Sequence, residues 1–391
     1  MLLSILFLVV GVYTVNALAV AWGIVRTRRR PVPEAPDPWP LVSVVVAARN
    51  EEATITTCLE SLLACSYPAD RLEILVVDDF STDRTAARVR ATQRAAQRTP
   101  VSAGPARASD AEDDGPRIRL LQMADVMPDN GGHKSEAVAR GVDAARGTVI
   151  LTTDADCTVA PGWLRSMVRR CTPQTPFVAG PVQYAVSHRW FDRLQALEFT
   201  GLIAYGAGTL GLGVPTFCNS ANVAVRRDVL KDLPNVPEGA ARDEMLLQHV
   251  AYNTNRDVVF NPDADALVTT EPASHLRTYL QQQARWASMG TRYPYVLPRG
   301  LVLLLWVVHT ALLAGVGAAL FVPVWQQPVL AAFLVKFAAD AVFTVPLVKH
   351  FGQEELLRSS VATEWLLLWA VPLVGVLGFL APVEWKGRTL E

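Results

Sequence analysis

Four long apolar stretches constrain this chain more than any other feature. Met1–Val25 is apolar throughout, and Leu301–Val322, Val329–Val348 and Val361–Val383 follow towards the other end. A stretch of about 20 apolar residues is long enough to cross a bilayer as a helix. In hydrocarbon the backbone must satisfy its own polar groups, so each stretch is expected to be helical. These ends carry much of the 51% hydrophobic content and leave a soluble middle. Arg26-Thr27-Arg28-Arg29-Arg30 follows the first stretch. A signal peptide would carry its charge on the other side and end in a small-residue cleavage site, so this reads as a membrane anchor. The positive-inside rule places Arg26–Arg30 in the cytoplasm and Met1 outside. Val324–Pro328 is short and uncharged and should lie outside, whereas Lys349, His350 and Arg358 fit the inside. The third stretch is interrupted by Lys336 and Asp340, and the fourth contains Pro372 and Gly375. Strict alternation would put the basic tail Trp385–Arg388 outside, so the pattern leaves room for one re-entrant segment.

Between these ends, apolar runs alternate with helical spacings. Pro31–Pro40 is a Pro-rich, extended linker. Leu41–Ala48 (LVSVVVAA) is a β-branched run that reads as a strand buried on both faces. Arg49-Asn50-Glu51-Glu52 ends it, and Ala53–Ala64 has helical spacing through Ile55, Leu59, Leu62 and Leu63. Glu73–Val77 is a second strand, closed by Asp78-Asp79. Ser81-Thr82-Asp83 then reads as the cap of a helix over Arg84–Arg98. Thr99–Pro116 has no apolar period and is expected to be a disordered insertion. Arg117–Met123 is a third strand. Gly131-Gly132-His133-Lys134 precedes a helix over Ser135–Arg146 that Gly147 ends. Val149–Cys157 (VILTTDADC) is a strand running into an acidic turn. This alternation implies an α/β domain with a doubly wound, mostly parallel sheet. Further on, Phe177–Tyr184 reads as a strand, Trp190–Gly206 as a helix and Phe217–Arg227 as a polar loop entering a strand. Asp243–Asn255 is a helix that opens on two acids, and short strands follow at Asp257–Asn261 and Ala266–Thr270. His275–Ser288 is amphipathic, and its aromatic and arginine residues suit a membrane surface.

Asp154-Ala155-Asp156 ends a buried strand. Two carboxylates there are unfavourable unless a cation sits between them, and a divalent metal carrying phosphate oxygens meets that need. In open α/β sheets, ligands bind at the carboxyl ends of strands. Asp79 at another strand end can accept hydrogen bonds from a uracil or ribose, or it can cap a turn. Lys134, after two glycines at a helix start, suits an anion. Asp243 and Glu244 at a helix N-terminus either complement its dipole or act as an acid or base. Gln282, Arg285 and Trp286 share one helical face, where Arg285 can bind phosphate and Trp286 can stack on a sugar. The net charge of -1 offers nothing to nucleic acid. Cys58, Cys65, Cys157, Cys171 and Cys218 are odd in number and have no CxxC spacing, which argues for a reducing compartment and against zinc.

The order VSVVVAARNEE, VVDDFSTD, GGHKSEAVARG, TTDADC, CNSANVAVRR, RDEMLLQH and QQARW resembles that of the membrane-embedded family-two glycosyltransferases. That family includes hyaluronan, cellulose and poly-N-acetylglucosamine synthases and ceramide glucosyltransferase. The resemblance runs from about Leu41 to Trp286. It implies a GT-A fold, which binds a nucleotide diphospho-sugar, flanked by transmembrane helices, with inversion at the anomeric carbon. Carried over by motif, Asp79 would hold the nucleotide. Asp154 and Asp156 would bind ribose, diphosphate and Mg2+ or Mn2+, with Asp156 the principal metal ligand. Lys134 would face the donor, and Gln282, Arg285 and Trp286 would gate it and bind its diphosphate. The family's base motif reads ED or DD, its second acid being the base. Here it is Asp243-Glu244, so Glu244 matches by position and Asp243 by residue type. The family's lysine loop has an asparagine where this chain has Arg140.

The resulting division is a transmembrane helix over 1–25, a linker over 26–40 and a catalytic domain over 41–274 that carries the 99–116 insertion. An interface helix over 275–300, about three transmembrane segments over 301–383 and a tail over 384–391 follow. The expected activity moves a sugar from a UDP-sugar to a lipid or a growing polysaccharide on the cytoplasmic face of a cell membrane. The competing expectation is an inactive membrane receptor or scaffold that binds nucleotide or polysaccharide.

Overall fold

The β-branched run that opens the soluble part becomes the strand from which the sheet is laid out. In a computed structural model, residues 2–98, 117–126, 134–231, 242–290, 292–380, 383–385 and 388–390 are described. The expected insertion over 99–116 and the glycines before Lys134 lie outside them. The chain opens with α1 (Leu2–Arg29). The α/β unit follows as β1 (Val42–Ala48), α2 (Ile55–Leu63), β2 (Leu72–Asp78), α3 (Thr85–Arg98), β3 (Ile118–Gln122), α4 (Lys134–Ala144) and β4 (Val149–Asp154). It continues through β5 (Thr158–Val159), α5 (Trp163–Arg170), β6 (Phe177–Ala179), β7 (Val182–Tyr184), α6 (Trp190–Gly211) and β8 (Val223–Arg226). Then come α7 (Arg227–Lys231), α8 (Arg242–Asn253), β9 (Val258–Phe260) and β10 (Val268–Thr270). The remainder is α9 (Leu276–Gly290), α10 (Val296–Phe321), α11 (Gln326–His350), α12 (Ser360–Leu380), β11 (Val383–Trp385) and β12 (Arg388–Leu390).

Among the described residues the main sheet has the order β3-β2-β1-β4-β8-β6-β9. Its first four strands are parallel, as the alternation implied. β8 arrives from the loop after α6 and runs back, antiparallel to both β4 and β6, so the second half is mixed. Val42, Val44, Val45 and Val46 of β1 have no exposed surface, which is what a continuous apolar run in a covered sheet requires. Register then builds the site. Ala48 pairs with Asp78 and Ala47 with Asp154, so the carboxyl ends of β1, β2 and β4 lie level. At α3 the expected cap forms: Asp83 accepts from the Thr85 amide at 2.9 Å.

Two departures have local causes. The single strand expected over Phe177–Tyr184 is two, with β6 in the main sheet and β7 in a second sheet of order β5-β10-β7. The break falls at Gly180-Pro181, where Asn222 wedges in and donates to the carbonyls of Pro181 and Ala266, both at 2.7 Å. A side chain at Gly180 would overlap Asn222. Secondly, α6 runs five residues past the expected Gly206, to Gly211. It is buried nearly all round, between the α/β unit and the apolar helices. Its glycines let two backbones meet: a Cβ on Gly208 would overlap the Val20 carbonyl of α1, and one on Gly211 would overlap that of Gly23.

Among the described residues, four helical segments are long and apolar enough to cross a membrane: Leu2–Arg29, Val296–Phe321, Pro323–His350 and Glu354–Gly378. A polar cluster ties three of them. Lys336 on α11 lies 2.6 Å from Asp340 and 2.5 Å from Glu364 of α12, and Tyr13 of α1 donates to Asp340. Contacts at both ends of α12 lead back towards the α/β unit, through α6 and α9. Before it, Thr200 of α6 donates to Gln353 at 3.3 Å and Arg193 pairs with Glu355 at 3.7 Å. At its far end, Gly378 lies on the backbone of α9 at Ala284.

The α1–α6 contact yields a test. Gly208→Ala must push two backbones apart, and overpacking of this kind costs about 1–3 kcal/mol. The detergent-solubilised variant should therefore melt below the wild type, whereas Gly11→Ala, which meets nothing within 4 Å, should not. Equal melting of both variants would refute the close approach.

Candidate active site

The level strand ends present Arg49, Asp79 and the Asp154–Asp156 turn on one edge of the sheet. Asp79 is buried, its amide donates to the Ala48 carbonyl at 2.8 Å, and its own carbonyl accepts from Arg49 at 2.8 Å. The residue after each of these two, Asn50 and Phe80, takes a left-handed backbone with φ of 54° and 53°. Such strain in residues other than glycine clusters at functional sites, where the surroundings enforce it. Here it turns both chains sharply away, leaving Arg49 and Asp79 at the rim.

Lys134 is the first residue of α4 and reaches across to β4. Its ammonium donates to Asp154 Oδ1 at 2.5 Å and to Ser220 Oγ at 3.3 Å. Thr152 fixes that serine by donating to its carbonyl at 2.6 Å. Burial works against the lysine charge, yet Asp154 prevails and holds its pKa above the ordinary value. Burial, with the carboxylates of Asp154 and Glu51, pushes Asp156 up. A group pushed up by like charge is one that a further cation would relieve.

Asp243 and Glu244 occupy the first turn of α8. Burial and then Asp243 push Glu244 up to about 8, while Arg285 pulls it down. Burial depresses Arg285 itself, and the charges of Asp154, Glu244 and Asp156 oppose that shift. Arg285 thus stands between the acidic turn of β4 and the acid pair of α8. Gln282 accepts from the Tyr184 hydroxyl at 3.3 Å. Trp286 stacks on Phe199 at 5.7 Å between centroids, and Phe199 stacks on Tyr184 at 4.4 Å.

Asp79, Lys134, Asp154, Asp156, Asp243, Glu244, Gln282, Arg285 and Trp286 all line one cavity of about 1560 Å³. The structure therefore brings together every site residue singled out in the sequence. The cavity continues among the apolar helices to Tyr13, His309, Asp340 and Glu364. Sequence reasoning missed Ser220, Tyr184, Phe199 and Glu51. Ser220 lies in the polar CNSAN stretch, which was visible only as a loop, and Phe199 lies on a helix buried too evenly to show a period.

The donor set fits a hard divalent cation. Asp154 and Asp156 offer carboxylate oxygens, Asp156 is pushed up by its like-charged neighbours, and Mg2+-type ions bind through one or two carboxylates plus phosphate oxygens. Among the described residues no group of three or more His, Cys, Asp or Glu side chains could hold a metal unaided. Phosphate oxygens would have to complete such a site. The five cysteines are free and buried.

Comparison with known proteins agrees with this geometry. Residues 43–233 match the family model for Glycosyl transferase family 2, and residues 149–380, more than half of the chain, match that for Glycosyl transferase family group 2. The chain is 26% identical over 262 residues to the probable glycosyltransferase YdaM of Bacillus subtilis (strain 168), covering 65% of this chain and 56% of that protein. It is 29% identical over 162 residues to the beta-monoglucosyldiacylglycerol synthase of Synechocystis sp. (strain ATCC 27184 / PCC 6803 / Kazusa), covering 41% of this chain and 28% of that protein. The matches thus span about half or less of these relatives' own lengths. Among solved structures, the mannosyltransferase PcManGT from Pyrobaculum calidifontis, in complex with GDP-Man and Mn2+, has a TM-score of 0.58 at 19% identity. That likeness covers 96% of this chain and 99% of the other, and it is one of GT-A fold. The chain belongs to glycosyl transferase family group 2.

Proposed function

We propose that the chain is a membrane-bound, inverting glycosyltransferase. It moves a sugar from a nucleotide diphospho-sugar, by our reading a UDP-sugar, to the hydroxyl of a lipid or a growing polysaccharide. The observation that carries this reading is the convergence of all nine residues on one cavity, with Lys134 and Arg285 set among four carboxylates. Asp79 holds the nucleoside at the rim. Lys134 and Arg285 bind the diphosphate, and Trp286, backed by Phe199, packs against the sugar. Asp156 and Asp154 would hold Mg2+ or Mn2+, which when bound screens the diphosphate charge. Glu244 takes the proton of the acceptor hydroxyl as its oxygen attacks the anomeric carbon. The bond from that carbon to the diphosphate breaks on the opposite face, and Arg285 receives the departing charge.

The topology we infer puts the α/β unit in the cytoplasm, inside the basic end of α1. The contacts at both ends of α12, through α6 and α9, support a re-entrant α12, which would leave the tail on the same side. Impermeant thiol labelling of intact cells tests this. A cysteine at Val324, which is 75% exposed between α10 and α11, should label. Cysteines at Glu34 and Thr389 should not, and labelling at Thr389 alone would make α12 a full crossing.

The chemistry is tested by product analysis in membranes supplied with different labelled UDP-sugars. Asp156→Asn should abolish transfer while leaving the fold intact, and chelation should do the same reversibly. A fully active variant would remove Asp156 from the site. The base is tested separately. Glu244 is protonated well below pH 8, so transfer should climb as pH rises and level off above about 8. Glu244→Gln should lose about 100- to 10,000-fold in transfer while still binding donor. Asp243→Asn should be milder, since a charge in the first helical turn contributes about 0.3–1 kcal/mol. The reverse pattern would assign the base to Asp243. Donor binding with no turnover in the wild type would instead favour a receptor.

A further inference from the structure

Glu198 lies in the middle of α6, lines the same cavity and has no part in the steps above. Its Oε2 accepts from the Tyr279 hydroxyl at 2.7 Å and its Oε1 accepts from Gln283 Nε2 at 2.7 Å. Those partners stand one turn apart on α9, on either side of Gln282 and just ahead of Arg285 and Trp286. The next residue, Phe199, carries the stack that joins Trp286 to Tyr184. One dipeptide of α6 therefore sets both the height and the rotation of α9. In turn, α6 is fixed to the apolar helices. Tyr205 donates to Asn16 of α1 at 3.0 Å and packs edge-on against Phe343 of α11.

We propose that Glu198 is a positioning residue: its two oxygens, by accepting from Tyr279 and Gln283, aim Arg285 and Trp286 at the donor diphosphate. The assignment rests on the donor site proposed above. A carboxylate accepts both bonds without reorienting either partner, whereas an amide in its place would offer one acceptor and one donor. The ionisable groups set against it are the hydroxyls of Tyr279 on α9 and Tyr184 on β7. Burial pushes Glu198 up to about 7, and the Tyr279 bond pulls it back down. The group therefore changes state close to neutrality. Ionised, it accepts both bonds. Protonated, one of its oxygens becomes a donor facing the Gln283 amide, and that bond is lost unless Gln283 turns over. The grip on the diphosphate should thus tighten as pH rises through about 7.

UDP binding in the presence of Mn2+, measured by calorimetry on the full chain in detergent between pH 6 and 8.5, tests this. The ionisation of UDP's own phosphate is common to all variants and cancels in the comparison. The wild type should bind about three- to tenfold more weakly at pH 6 than at pH 8 beyond that shared change, the scale of one neutral hydrogen bond. Glu198→Gln, which cannot titrate, should lack the extra dependence and bind at the weaker level throughout. Tyr279→Phe removes the bond that lowers the Glu198 pKa, so its limb should move to higher pH. A Glu198→Gln variant with wild-type affinity and pH dependence would overturn the proposal. So would a Tyr279→Phe limb that stays in place, and this variant decides alone if Glu198→Gln does not fold. A wild type that binds no UDP at any pH would remove the donor site itself, and the positioning role with it.

Discussion

Carboxylate crowding is the constraint on which the rest of the site depends. Asp154, Asp156, Asp243 and Glu244 share a cavity with Lys134 and Arg285, and burial strengthens every one of their mutual effects. The site relieves this crowding in two ways. It holds Glu244 up near 8, so that this acid sheds its charge at neutral pH. It also leaves Asp156 raised beside Asp154 and Glu51, where added positive charge is welcome. The sheet exists, in this sense, to make such crowding possible. The parallel register of β1, β2 and β4 sets Asp79 and Asp154 near one level, α8 adds Asp243 and Glu244, and α4 and α9 deliver Lys134 and Arg285.

The second constraint is mechanical. α9 carries three of the site residues but is itself carried by α6, through Glu198 and through the Tyr184–Phe199–Trp286 stack. The backbone of α6 touches that of α1 at Gly208 and Gly211, where neither helix can tolerate a Cβ. The candidate site and the apolar helices are therefore joined by direct packing as well as by the Pro31–Pro40 linker. The cavity follows the same route, from the strand ends to Tyr13 and Glu364 among those helices.

The half of the fold built from β1, β2, α3 and β4 was legible because each element carries its own signal. The strands are continuous apolar runs ended by charged residues, and Asp83 caps its helix as its position implies. The nine site residues were legible through their order along the chain and not through any pattern of periodicity. What was hidden depends on distant partners. The split of β6 from β7 is made by Asn222, some forty residues later, and β5 is too short to show alternation. The length of α6 was obscured by burial on all sides, which erases the helical period. α10 begins at Val296, ahead of its apolar run, because Pro298 in a first turn sacrifices no helical hydrogen bond. Ser220 and Glu198 meet their partners 86, 81 and 85 residues away, beyond the reach of local reasoning.

The cluster around Lys336 bears on how the protein is made. On the membrane reading proposed above, α11 must enter the bilayer with two charged side chains, each opposed by about 2.5–3.5 kcal/mol at a helix centre. Lys336 and Asp340 are four residues apart and pair on their own helix, so the segment arrives already neutral. Glu364 leaves the ribosome 28 residues after Lys336, while Tyr13 was synthesised 327 residues before its partner Asp340. The first anchor therefore waits in the bilayer through the synthesis of the whole catalytic unit before its hydroxyl is claimed. The cluster can therefore close only once α12 has been made, and its closure joins the first of these four apolar helices to the fourth.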